Sequence, residues 1–209
     1  MRIIYFLEDR AQEGFIKALV ERIAKDESIP LESLIHDIRS ARGGSKVITE
    51  FKNFVKDIAK VDIVEIDLLV VAIDGNCKGY QDRVKQLHKA FRLNHPLQGK
   101  VIYAVPDPHV ERWYLIDQKA FKLGVGIDKA PDLPPYKCKK AYYKQELSKA
   151  LKDANVSSLL GGTEYAERIV DHIENLEALG RHDAGFKNFV DALRIIFRVN
   201  KRQKEQLPD

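Results

Sequence analysis

Leu68-Leu69-Val70-Val71-Ala72, with Ile73 beyond, is an unbroken apolar run set between Asp67 and Asp74. So short a run of β-formers reads as a strand over Asp67–Ile73 that is covered on both faces, the habit of a parallel sheet. Such a strand needs parallel neighbours and helices above and below it, and the flanking sequence offers both. Arg2 to Leu7 reads as a strand, and Arg10 to Lys25 then places Phe15, Leu19, Ile23 and Ile16, Val20 at helical spacing. Leu34 to Ile38 is a shorter strand closed by Ser40-Ala41-Arg42-Gly43-Gly44-Ser45, after which Val47, Phe51, Phe54, Val55 and Ile58 mark a helix. Gly79 to Leu93 reads as a helix through Tyr80, Val84, Leu87 and Phe91, and Val101 to Val105 as a fourth strand, stopped by Pro106 and Pro108. The alternation predicts an α/β domain: a mostly parallel four-stranded sheet flanked by helices.

From His109 to Ala120 the apolar spacing predicts one further helix beginning at Pro108. The Pro- and Gly-rich stretch Gly124 to Pro135 then marks a boundary between a core over 1–123 and a helical C-terminal annex over 124–209. Within the annex, helices are expected at Lys139–Lys152, Thr163–Leu179 and Gly185–Val199, with a frayed tail from Lys201.

No apolar stretch is long enough for a membrane span, and Glu8 and Asp9 interrupt the N-terminal run too early for a signal peptide, so a cytoplasmic protein is expected. Two cysteines, Cys77 and Cys138, are too few for a disulfide framework and lack zinc spacing; Cys77 reads as a passive small side chain, less readily as a redox-sensitive thiol. The net charge of +4 is unevenly placed: residues 1–118 balance at 18 basic and 18 acidic, whereas 119–209 hold 17 and 13. An excess confined to the C-terminal half suits a polyanionic partner or a solvated basic face.

Acidic residues follow three of the strands: Glu8-Asp9, then Asp74-Gly75-Asn76, then Asp107 and Glu111 within Pro106–Trp113. Ligands of open α/β sheets gather at the carboxyl ends of the strands, so these carboxylates are placed to converge on a hard cation, Mg²⁺ first. Each also has a plainer reading. Asp74 can close a turn before Gly75, Asp9 can cap a helix, Glu111 can complement a helix dipole, and Asp117 can sit on a solvated face. His109 lacks the Pro-Cys-x-x-Cys partner of zinc deaminases and is expected as an exposed helix-start residue; Trp113 is expected in the core.

Glu8 after the first strand, the Gly43-Gly44-Ser45-Lys46 turn, Asp74-Gly75-Asn76, and Glu111-Arg112-Trp113-Tyr114-Leu115-Ile116-Asp117 together resemble the Toprim fold. The resemblance is to small Toprim-like proteins related to the OLD-family nucleases, some linked to phage defence or mobile elements. It implies metal-dependent phosphodiester cleavage, with Glu8 as general acid or base and Asp74 as ligand to Mg²⁺ or Mn²⁺. Asn76 stands where the family has a second Asp, which weakens a cation site by one charge unless Glu111 or Asp117 completes it.

Nucleic-acid contacts are expected from Arg39, Arg42 and Lys46 around the Gly pair, where backbone N–H groups can bind anions. Tyr136-Lys137-Cys138-Lys139-Lys140-Ala141-Tyr142-Tyr143-Lys144 interleaves cations and rings, as a single-strand-binding surface does, and nominates Lys137, Lys139, Lys140 and Lys144. The alternative reading is a catalytically decayed module that binds nucleic acid or a partner protein, as a homodimer or in a defence complex. Walker and GxSxG motifs are absent, so P-loop and serine-hydrolase chemistry have no support.

Overall fold

The computed structural model describes residues 1–41, 43–58, 66–91, 95–139 and 141–205. The strands β1 (Arg2–Leu7), β2 (Ile35–Ser40), β3 (Leu68–Ala72) and β4 (Val101–Ala104) form one all-parallel sheet in the order β2-β1-β3-β4. This is the α/β arrangement expected of a Rossmann-like, Toprim-type fold. β1 and β3 are interior neighbours, with Leu7 paired to Ala72, so Glu8 and Asp74 leave the same end of the sheet side by side.

Period-two alternation along β1 divides the core. Ile3, Tyr5 and Leu7 face one layer with α1 (Arg10–Asp26), while Ile4 and Phe6 face the other with Phe51 and Val55 of α2 (Val47–Ile58) and Leu87 of α3 (Gly79–His88). All five residues of β3 have no exposed surface, so the doubly covered strand read from the sequence is present.

The expected helix over His109–Ala120 is two helices, α4 (Glu111–Leu115) and α5 (Gln118–Val125). Asp117 makes the break: its backbone is extended, and its carboxylate accepts the Ala120 N–H as an N-cap. In the annex, α6 (Tyr142–Asp153) starts three residues later than expected, after Ala141 in the left-handed region. The expected helix over Thr163–Leu179 is likewise divided, into α7 (Ala166–Asp171) and α8 (Leu176–Gly180), with Asn175 capping the second through Ala178 N–H. The last, α9 (Ala184–Glu205), continues through residues expected to fray. α3 ends at His88, short of the expected Leu93, with residues 89–91 in a turn; positions 92–93 lie outside the described residues.

The annex builds the first core layer. Ile169 and Val170 of α7 and Phe186, Phe189, Leu193 and Phe197 of α9 belong to the same buried cluster as Ile3, Tyr5 and Leu7. Contact with the sheet is close enough at Gly185 that any Cβ would overlap the Val105 carbonyl oxygen at the end of β4. Gly185→Ala is therefore expected to destabilise the fold by about 2 kcal/mol or more, read as a lower urea midpoint at unchanged m-value.

Candidate active site

The end of β1 is shaped by a capped turn. Asp9 N-caps α1 by accepting Gln12 N–H at 3.1 Å, and the Glu8 N–H donates to the Gln12 side-chain carbonyl at 2.9 Å. Gln12, fully buried on the apolar face of α1, turns its amide to Asp74 Oδ1 at 2.9 Å. The Asp74 backbone N–H donates to Glu8 Oε2, also at 2.9 Å. The first two acidic stations thus meet, each only 8% exposed.

Asp74 collects further donors from the loop after β4: Val110 N–H reaches Oδ1 at 3.1 Å and His109 Nδ1 lies 3.1 Å from Oδ2. This corrects the expectation for His109, which is half-buried against Asp74 and not an exposed helix-start residue. The loop between Asp74 and α3 is drawn in by Gly75 N–H to Pro106 O and Asn76 N–H to Pro108 O, and a Cβ on Gly75 would overlap Asp107. Buried Arg83 ties α3 to the same loop by donating to the Gly75 carbonyl at 3.3 Å.

Carboxylates gathered out of water resist ionisation. Burial, reinforced by the neighbouring Asp74 charge, raises the Glu8 pKa to about 7. Burial also raises Asp74, against the opposing bond from His109, and raises Glu111, where Asp74 and Asp9 add repulsion. The hydrogen bond to Asp74 raises His109 in turn. Glu8 is thereby poised to exchange a proton near neutrality, as a general acid or base requires.

Of the other expected ligands, Asn76 is exposed in a left-handed conformation, and its amide donates to the Asp74 backbone carbonyl at 3.3 Å. Asp117 is committed to its capping role on α5. Among the described residues no group of three or more His, Cys, Asp or Glu side chains is placed to hold a metal ion. Magnesium is commonly taken by one or two carboxylates together with substrate phosphate, so a cation here would need substrate oxygens beside Asp74 and Glu111. A groove of about 1160 Å³ passes Asp9 and Glu111 and is lined by six acidic and three basic residues, an excess of negative charge that favours cations over anions there.

The expected basic contacts are scattered. Arg39 is exposed but paired with Asp37 at 3.1 Å, and Lys46 is exposed in the turn whose Gly43 faces the Glu8 carbonyl. Lys137 rests 5.0 Å from the Tyr142 ring centroid, Lys139 and Lys144 are exposed, and Lys144 borders the groove. Arg42 and Lys140 lie outside the described residues. The tyrosines are occupied: Tyr136 donates to Asp107 at 2.8 Å, and buried Tyr143 bonds Lys137 N–H and the Pro135 carbonyl.

Cys77 and Cys138 form a disulfide with Cα atoms 5.7 Å apart, so neither the passive nor the free-thiol reading of Cys77 holds. The bond ties the basic segment to the loop that follows Asp74. Among the described residues no helix is long and apolar enough to cross a membrane. The chain matches no family model, and neither curated proteins nor solved structures yield a similar relative.

Proposed function

We propose that the protein is a Toprim-like nuclease that hydrolyses phosphodiester bonds of DNA or RNA with Mg²⁺ or Mn²⁺ taken up alongside the substrate. The meeting of Glu8 and Asp74 at the ends of adjacent parallel strands carries this reading. Asp74 and Glu111 would hold the cation, which when bound neutralises a phosphoryl oxygen and favours attack by water. That leaves Glu8, raised to about 7, to move the proton. Gln12 and Val110 N–H fix Oδ1 of the Asp74 carboxylate, and His109 Nδ1 holds Oδ2.

A second reading, a decayed module that binds nucleic acid or a partner protein, is favoured by one observation: both Asp74 oxygens already have protein partners. Cleavage of single-stranded and duplex DNA and RNA, with either metal or with chelator, separates the two. In Asp74→Asn the Oδ1 can keep Gln12 and Val110 while the amide donates to Nδ1 of a neutral His109, so the fold is expected to persist. The expected result is metal-dependent cleavage by the wild type, with Mn²⁺ binding by calorimetry weakened about tenfold or more in Asp74→Asn. Salt-dependent binding of nucleic acid without cleavage of any substrate would decide for the second reading.

A further inference from the structure

We infer that Cys77–Cys138 is a thiol–disulfide exchange site, opened by a dithiol reductant, that latches the segment Pro134–Lys139 onto the loops that hold Asp74. Both cysteines are exposed, so an attacking thiolate has access, and the bond joins residues 61 positions apart. On one side it grips the loop after Asp74, where two successive non-glycine residues, Asn76 and Cys77, hold φ values of 49° and 66°. Backbone in that region persists only where its surroundings over-determine it, and the disulfide together with the Cys77 N–H bond to Asp107 Oδ1 at 3.0 Å does so here.

On the other side the bond holds a segment that Tyr143 also ties, through Lys137 N–H and the Pro135 carbonyl, and that meets the Asp74 loops through Tyr136. Tyr136 O–H reaches Asp107 Oδ2 at 2.8 Å, and the Arg112 guanidinium lies 5.6 Å from the Tyr136 ring centroid. Asp107 therefore takes one bond from each side of the disulfide. It lies in the loop that sends His109 and Val110 N–H to Asp74. Releasing the bond loosens the segment, the Asn76–Cys77 turn and the Asp107 junction together.

Opening proceeds by two exchanges. A thiolate of the dithiol attacks one sulfur, the Cys77–Cys138 bond breaks, and one cysteine leaves as a thiolate while a mixed disulfide forms with the other. The second dithiol sulfur then displaces that cysteine. Two electrons and two protons pass to the protein, and the dithiol departs as a cyclic disulfide. The latch does not rest on the hydrolytic reading of the site.

The test uses the full chain, equilibrated with oxidised or reduced dithiothreitol, with Cys138→Ser alongside. Trypsin cleavage after Lys137 and Lys139 is expected to be roughly tenfold or more faster in the reduced protein. Amide exchange at Gly75, Asn76 and Val110 is expected to accelerate with it, and reoxidation to restore both. Cys138→Ser should match the reduced protein and ignore the reagent. Equal cleavage and exchange in the two states, or free thiols persisting after the oxidised reagent, would overturn the latch.

Discussion

Glu8→Gln is expected to lower nucleic-acid cleavage by about 10²- to 10⁴-fold, the range lost with a general acid or base, while making the protein more stable at pH 8. Both effects have one origin. In the unfolded chain Glu8 titrates near 4.5, and in the folded protein near 7, so between those values the folded state binds more protons. Stability falls as pH rises through that window, and the whole cost is present above about 7. A gap of this size corresponds to roughly 3 kcal/mol, an order-of-magnitude figure for a side chain that is nearly out of water. Glutamine keeps an acceptor for the Asp74 N–H and carries no charge to desolvate. The measurement is Tm against pH for both proteins: the variant should melt roughly 5 to 10 °C higher at pH 8, with the gap closing below pH 4.5. A variant that loses activity and is destabilised at every pH would assign Glu8 a purely structural role. Gain of stability with loss of activity is the usual mark of a site held against its own folding preference.

The second large effect lies behind the site. Arg112, next to Glu111, donates to Asp183 at 2.6 Å and to the His182 carbonyl at 2.8 Å, while Asp183 also accepts the Phe186 N–H at the start of α9. The Asp183 side chain is 2% exposed, and burial raises its pKa even with Arg112 beside it. Arg112→Ala strands that carboxylate, and a loss of about 3 to 5 kcal/mol in urea unfolding is expected. Arg112→Met combined with Asp183→Asn should cost less than the sum of the single changes, because neither partner is then a lone buried charge. Additive losses would show that the two side chains act independently.

β1, β3 and β4 were legible because each apolar run is short and ends on a hard stop, as Ala72-Ile73 does on Asp74 and Ala104-Val105 does on Pro106, whereas the half-exposed edge strand β2 runs on past the expected Ile38 to Ser40. The convergence of Glu8 and Asp74 followed from where parallel strands end. Where two signals competed, the apolar spacing hid the cap: Asp117 and Asn175 each divide a run that was periodic on both sides. Gln12 was missed although a signal existed, since it lies on the stripe of Phe15, Ile16 and Leu19, where an amide has no apolar reason to be. Asn76 misled because residue type says nothing about direction; the left-handed turn points its amide back at the Asp74 carbonyl. The disulfide had no local signature at all, because a pairing 61 residues apart depends on which loops the fold brings together.

The placement of α9 bears on how the chain folds. β1 and α9 lie far apart in the sequence, yet Ile3, Tyr5 and Leu7 share one buried cluster with Phe186, Phe189, Leu193 and Phe197, and α9 itself packs on β4 and α1. The early segments therefore cannot finish this core layer without residues more than 150 positions away, so its closure depends on long-range contacts. A chain lacking the segment from residue 184 is expected to expose apolar surface on β4 and α1 and to bind a hydrophobic dye that the full chain excludes.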